Sequence, residues 1–142
     1  MTRRHVGSAQ AAFYVGTGIW PLLHRRSFER VTGRKTDFWL VQTVGVTVAA
    51  IGVGLAQAVS RRQGVPAELR TVAATSAAGL ALIDLCFVAR GRISKIYLAD
   101  AAAEVALVCG WLFARDRAEA GLPLSSAADL ASRGADLLIR RP

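Results

Sequence analysis

The stretch IYLADAAAEVALVCGWLF, residues 96–113, has the length and apolarity of a membrane-crossing helix, yet it carries Asp100 and Glu104 one helical turn apart. About 20 residues at 1.5 Å rise cross a hydrocarbon core of roughly 30 Å, so the run is long enough. An acid at the centre of a lipid-exposed helix costs roughly 2.5–3.5 kcal/mol. Two on one such helix therefore have to face a protein interior. Tyr97, Asp100, Glu104, Leu107 and Trp111 follow steps of three or four and share one face, which gives that interior a wall.

Three more runs of the same kind precede it. Spans are expected at about 6–23, 38–60, 71–89 and 96–114. The second is free of charge, the third holds Asp84, and the first is interrupted by glycines and Pro21. These runs are too long for barrel strands and do not alternate, so helix is the form that satisfies their backbone in lipid. Thr36-Asp37 suits an N-cap for the second span, and Pro66 with Glu68 suits the first turn of the third. Gly91 can end the third and Ser94 can cap the fourth. Short connections make successive helices antiparallel neighbours. The expected fold is all-α: an integral membrane, up-down four-helix bundle over 1–118, with a short amphipathic C-terminal tail over 119–142.

Composition agrees. The 142 residues fit one domain, and 53% of them are hydrophobic. The net charge of +8 comes from Arg, gathered in short clusters at 3–4, 25–35, 61–62, 90–95 and 115–117 between the apolar runs. Arg and Lys collect where helices leave a bilayer, whereas a nucleic-acid binder spreads them along one face, so no nucleic-acid partner is expected. The side holding both termini carries Arg3, Arg4, Arg61, Arg62, Arg70, Arg115 and Arg117. The other carries Arg25, Arg26, Arg30, Arg34, Lys35, Arg90, Arg92 and Lys95, which is no bias. Cytoplasmic termini in a bacterial inner membrane would spare export of the polar tail. The N-terminus reads as a retained first helix and not as a cleaved signal. Trp20, Trp39 and Trp111 lie near span ends, the position of interfacial anchors. Cys86 and Cys109 fall in apolar runs and read as packing thiols. Two histidines, at 5 and 24, and two separated cysteines form no metal-ligand cluster, and no phosphate-cradling loop occurs. No metal and no cofactor is expected.

Each span has one polar or small face. On the first it is Gln10, Tyr14, Thr17, Pro21 and His24; on the second, Gln42, Gly45, Ala49, Gly52 and Ala56. On the third it is Ala73, Ala77, Ala81, Asp84 and Val88, and small residues there permit close helix contact. Asp84 lies about 8 Å below one surface, and Asp100 enters from the same surface with Glu104 one turn deeper. His24 and Gln42 are near that surface too. The candidate ligand-binding set is therefore Asp84, Asp100, Glu104, Tyr14, Tyr97, Gln42 and His24. Buried acids there must be paired with Arg, hydrogen-bonded to Tyr or Gln, or protonated.

Three classes of function are compatible with this pattern. One is binding or carriage of a small amphipathic molecule, cationic or lipid-like, in an acidic intramembrane cavity. The second is an enzyme using Asp100 and Glu104 as an acid–base pair on a lipidic substrate. The third is a structural subunit whose acids are interhelical glue and whose partner is a second copy or another membrane protein. Interhelical polar contacts in membranes average only about 0.6 kcal/mol, a weak reason to hold three acids, which favours the first class.

The runs FYVGTGIWPLLHRRSFERVTGRKTDFWLVQTVG and IDLCFVARGRISKIYLADAAAEVALV resemble a group of small, uncharacterised bacterial four-helix integral membrane proteins, over about residues 9–114. The resemblance implies the membrane fold and carries over no catalytic residue. A looser analogy links the chain to the emopamil-binding (EXPERA) group, in which intramembrane acids face a cavity, with no motif matched residue by residue.

Overall fold

The computed structural model describes residues 2–61 and 64–115. Every element among them is a helix: α1 Arg3–Leu23, α2 Arg25–Thr32, α3 Phe38–Ser60, α4 Ala67–Ala89 and α5 Tyr97–Phe113. The amphipathic tail expected over 119–142 lies outside the described residues, as do Arg62 and Arg117. Two helices, α3 and α4, are long and apolar enough to cross a membrane. The polar start of α1, with Arg3 and Arg4, and the two acids on the 17-residue α5 set those helices apart.

Local chemistry explains where the helices begin and end. Thr2 Oγ1 accepts the His5 backbone N–H at 3.4 Å, so α1 starts three residues before its apolar run. Helix α4 starts behind Pro66 with Glu68 in its first turn, and these residues lengthen it beyond the apolar segment. At its other end Gly91 has φ +65°, its N–H bonds Val88 O at 2.9 Å, and the Arg92 N–H bonds Phe87 O at 2.9 Å. This is a Schellman closure, which needs a left-handed residue and so a glycine. Asp37 stands at the start of α3 with no side-chain capping bond. Ser94 Oγ accepts from the Ile96 N–H at 3.4 Å, just ahead of α5.

Helix α2 was not expected. RRSFERVT is too polar and too short to register as a hydrophobic run, yet it forms an amphipathic helix of about two turns that Gly33, at φ +86°, terminates. It sits where a loop between the first two spans was anticipated.

The long helices associate most closely as two antiparallel pairs, α1 with α3 and α4 with α5, and the pairs touch more sparsely, α1 against α5 and α3 against α4. Glycines make the first seam. A Cβ on Gly18 would lie 2.5 Å from Gly45 O, one on Gly45 would lie 2.6 Å from Gly18 O, and one on Gly52 would lie 2.9 Å from the Val15 backbone N. Backbone rests on backbone there, as small residues allow. On the other pair Ala73, Ala77, Ala81 and Ala101 fill the same role by burial. Successive long helices are in contact, closely within the pairs and more sparsely between α3 and α4, where Leu55 and Ala73 share a buried cluster.

Large apolar side chains lie outside as well as inside, where Val6, Leu55 and Trp111 form a small core. Gln10, Tyr14, Asp84 and Glu104 are buried, with alanines and glycines around them. Trp39, Val44, Val46, Leu82, Ile83, Leu85 and Leu112 are exposed. Cys86 and Cys109 are also exposed and are not packing residues of the interior.

Candidate functional site

Three polar layers cross the interior. In the first, nearest the ends of the described chain, Trp111 Nε1 donates to Gln10 Oε1 at 2.6 Å and Gln10 Nε2 donates to Ala73 O at 2.8 Å. Three helices are joined by one buried amide. In the second layer the Tyr14 hydroxyl donates to Glu104 Oε2 at 3.1 Å. Ser76 Oγ lies 3.3 Å from that hydroxyl and donates to Ala73 O at 3.0 Å. The third layer holds Asp84 beside Asp100. Asp84 is only 7% exposed, and its Oδ2 is buried with no hydrogen-bond partner.

Above the second layer lies a cavity of about 580 Å³, to which all five helices contribute. Asp84, Asp100 and Glu104 are its charged lining groups, and Thr17, Thr32 and Tyr97 are polar neighbours in a wall otherwise mostly aliphatic or aromatic. Among the described residues no ion pair reaches the three acids. Arg25 bonds Glu29 at 3.3 Å and lies 4.2 Å over the Phe38 ring.

Helix α2 closes one end of the cavity with Phe28, Val31 and Thr32. It is held by an aromatic row, Phe28 standing edge-on 5.5 Å from Trp20 and 6.4 Å from Phe38. Trp20 Nε1 donates to Ser27 Oγ at 2.7 Å, and Lys35 Nζ stands 4.8 Å over the Tyr97 ring. The Arg25 hydrogen bond, joined by the Lys35 backbone N–H, holds the Glu29 carboxyl below its ordinary value.

The structure brings together five of the seven sequence-derived candidates. Asp84, Asp100, Glu104 and Tyr97 line the cavity, and Tyr14 lies one layer below, bonded to Glu104. Gln42 and His24 do not join them. Gln42 is exposed on the outer side of α3, beside Trp39, Thr43 and Val46. The face of α3 that meets α1 runs through Phe38, Gly45, Gly52 and Leu55 instead. His24 is exposed at the junction of α1 and α2, where its backbone N–H bonds Trp20 O. Trp111, read as an interfacial anchor, is a buried donor; its place on the Glu104 face was the available signal. Ser76 and Phe28 carried no such signal, one being a single hydroxyl and the other lying in an unrecognised helix.

No protein-family model, curated protein or solved structure matches this chain.

Proposed function

We propose that the chain is a multi-pass integral membrane protein, with α1, α3, α4 and α5 as its spans, that binds or carries a small amphipathic molecule in the acidic cavity. One observation carries the reading: a cavity of about 580 Å³ whose charged lining groups are three carboxylates, one with a buried, unpartnered oxygen. An acid held so is costly unless something neutralises or bonds it, and a small amphiphile would do so while its apolar part covers the aliphatic walls.

The membrane part rests on the apolar length of α3 and α4 and on the large apolar side chains that the helices leave exposed. Water would penalise so continuous an apolar exterior, whereas lipid would not, and helices in lipid associate through small residues and internal hydrogen bonds. The glue reading fits the Gln10–Trp111 and Tyr14–Glu104 layers, where every named group is bonded. It does not fit Asp84, which leaves an oxygen unbonded.

The test is mass spectrometry of small molecules that copurify with the wild type and with Asp84→Asn/Asp100→Asn. A compound present in the first and lost from a folded second supports the reading. The same compound retained by both, or none in either, overturns it.

A further inference from the structure

We infer that the α2 end of the bundle is a binding face for anionic phospholipid, whose phosphates dock on the outward row of α2, Arg26 and Arg30, and on Arg92 and Lys95 of the turn before α5. The inference rests on the membrane part of the reading above and is independent of what the cavity holds. Helix α2 has two unlike sides. Phe28, Val31 and Thr32 line the cavity. Arg26 and Arg30 each stand two residues from Phe28, about 200° around the helix, and both are exposed. Aromatic and aliphatic side chains on one side with arginines on the other is the pattern of a helix lying in the plane of a membrane surface.

The charge there is unbalanced. Residues 24–37 and 90–97 hold eight Arg or Lys and two acids, Glu29 and Asp37. Lys35 Nζ, 4.8 Å over the Tyr97 ring, draws the turn after α2 against the start of α5, so both basic segments share one end. Arg25 is taken up by Glu29 and Phe38, Arg90 lies over Phe87, and Lys35 Nζ donates to Thr32 O. Arg26, Arg30, Arg92 and Lys95 are exposed and have no acidic partner among the described residues.

The partner has to answer more than charge. Next to these cations in the chain, Leu23 and Trp39 are 77% and 63% exposed, and Val31 and Leu40 are exposed too. An acidic protein segment or a nucleic acid would meet the arginines and leave these side chains in water. An anionic phospholipid answers both, its phosphate meeting the cations and its acyl chains the apolar collar. Three of the four free cations are Arg, whose planar fork pairs with phosphate oxygens. The opposite end of the bundle is built differently. Arg3 and Arg70 there already have partners, and Arg4, Arg61 and Arg115 stand at three separate helix ends.

The experiment uses the full chain in nanodiscs of equal parts phosphatidylglycerol and phosphatidylcholine, with bromine on the acyl chains of one lipid at a time. Quenching is read at Trp39, exposed at the start of α3, as the part of the fluorescence that Trp39→Phe removes. Phosphatidylglycerol is expected to be preferred there by about fivefold or more, the contribution of one interfacial arginine. Arg26→Gln/Arg30→Gln should bring the ratio most of the way to parity, and Arg4→Gln/Arg61→Gln at the other end should leave it unchanged. Equal quenching by the two lipids overturns this inference and leaves the spans standing. So does a preference that survives Arg26→Gln/Arg30→Gln, or one that Arg4→Gln/Arg61→Gln lowers equally. Quenching by neither lipid removes the membrane reading with it. Should Arg26→Gln/Arg30→Gln fail to fold, Arg92→Gln/Lys95→Gln, outside the helices, decides in its place by the same lowering.

Discussion

Tyr14 gives its phenolic hydrogen to Glu104 Oε2 at 3.1 Å, across 90 positions of chain, and so ties the first helix to the last described one. The bond occupies an acid that would otherwise be a buried, unsatisfied acceptor. It also marks the floor of the cavity, below Asp84, whose Oδ2 has no partner.

Tyr14→Phe keeps the ring and removes the donor. It is expected to destabilise the protein by about 1–3 kcal/mol, the range for orphaning a buried acceptor. Glu104→Gln retains an acceptor for the hydroxyl and should cost less. Thermal unfolding of both variants in one detergent checks the order.

The glycine seam gives a sharper contrast. Gly45→Ala would place a methyl 2.6 Å from Gly18 O, so α1 and α3 must separate. A loss of roughly 1–3 kcal/mol follows, as in overpacked cores. Gly54→Ala and Gly79→Ala meet nothing within 4 Å and should stabilise by roughly 0.5–1 kcal/mol through helix propensity. Parallel melting curves separate the two groups.

Gln10→Leu removes the acceptor of Trp111 and the donor to Ala73 O together. Trp111→Phe removes only the first. If one amide holds both, the double variant should lose clearly less than the sum of the singles, a coupling of about 0.5–3 kcal/mol in a double-mutant cycle.

Acidity should loosen α2. Because Arg25 lowers the folded-state value of Glu29, its carboxylate contributes stability that is fully present above the ordinary glutamate value. That contribution is lost as pH falls through the lowered value. Amide exchange over residues 25–32, corrected for intrinsic rate, should therefore quicken on acidification in the wild type. In Glu29→Gln it should already be quick at neutral pH and change little.

Much of this was legible in the letters. Helical steps of three and four put Tyr97, Asp100, Glu104 and Trp111 on one face, and that periodicity survives folding because nothing on α5 breaks it. The alanine stripe on α4 was legible for the same reason. Gln42 was misread because a helix face of small residues is wide, and only contact with α1 shows that Gly45 lies at its centre. Hydropathy could not reveal α2, whose single apolar edge is Phe28 and Val31 among charges. Nor could it show that four comparable spans would form two pairs, since that depends on backbone approach at Gly18 and Gly45.

The amide bonds of Gln10 lie at one end of the bundle, and Asp84 with α2 lies at the other. The hydrogen-bonded end is thus the rivet of the assembly. On the binding reading proposed above, the far end, where Asp84 keeps an unbonded oxygen under α2, is the seat that a guest would take.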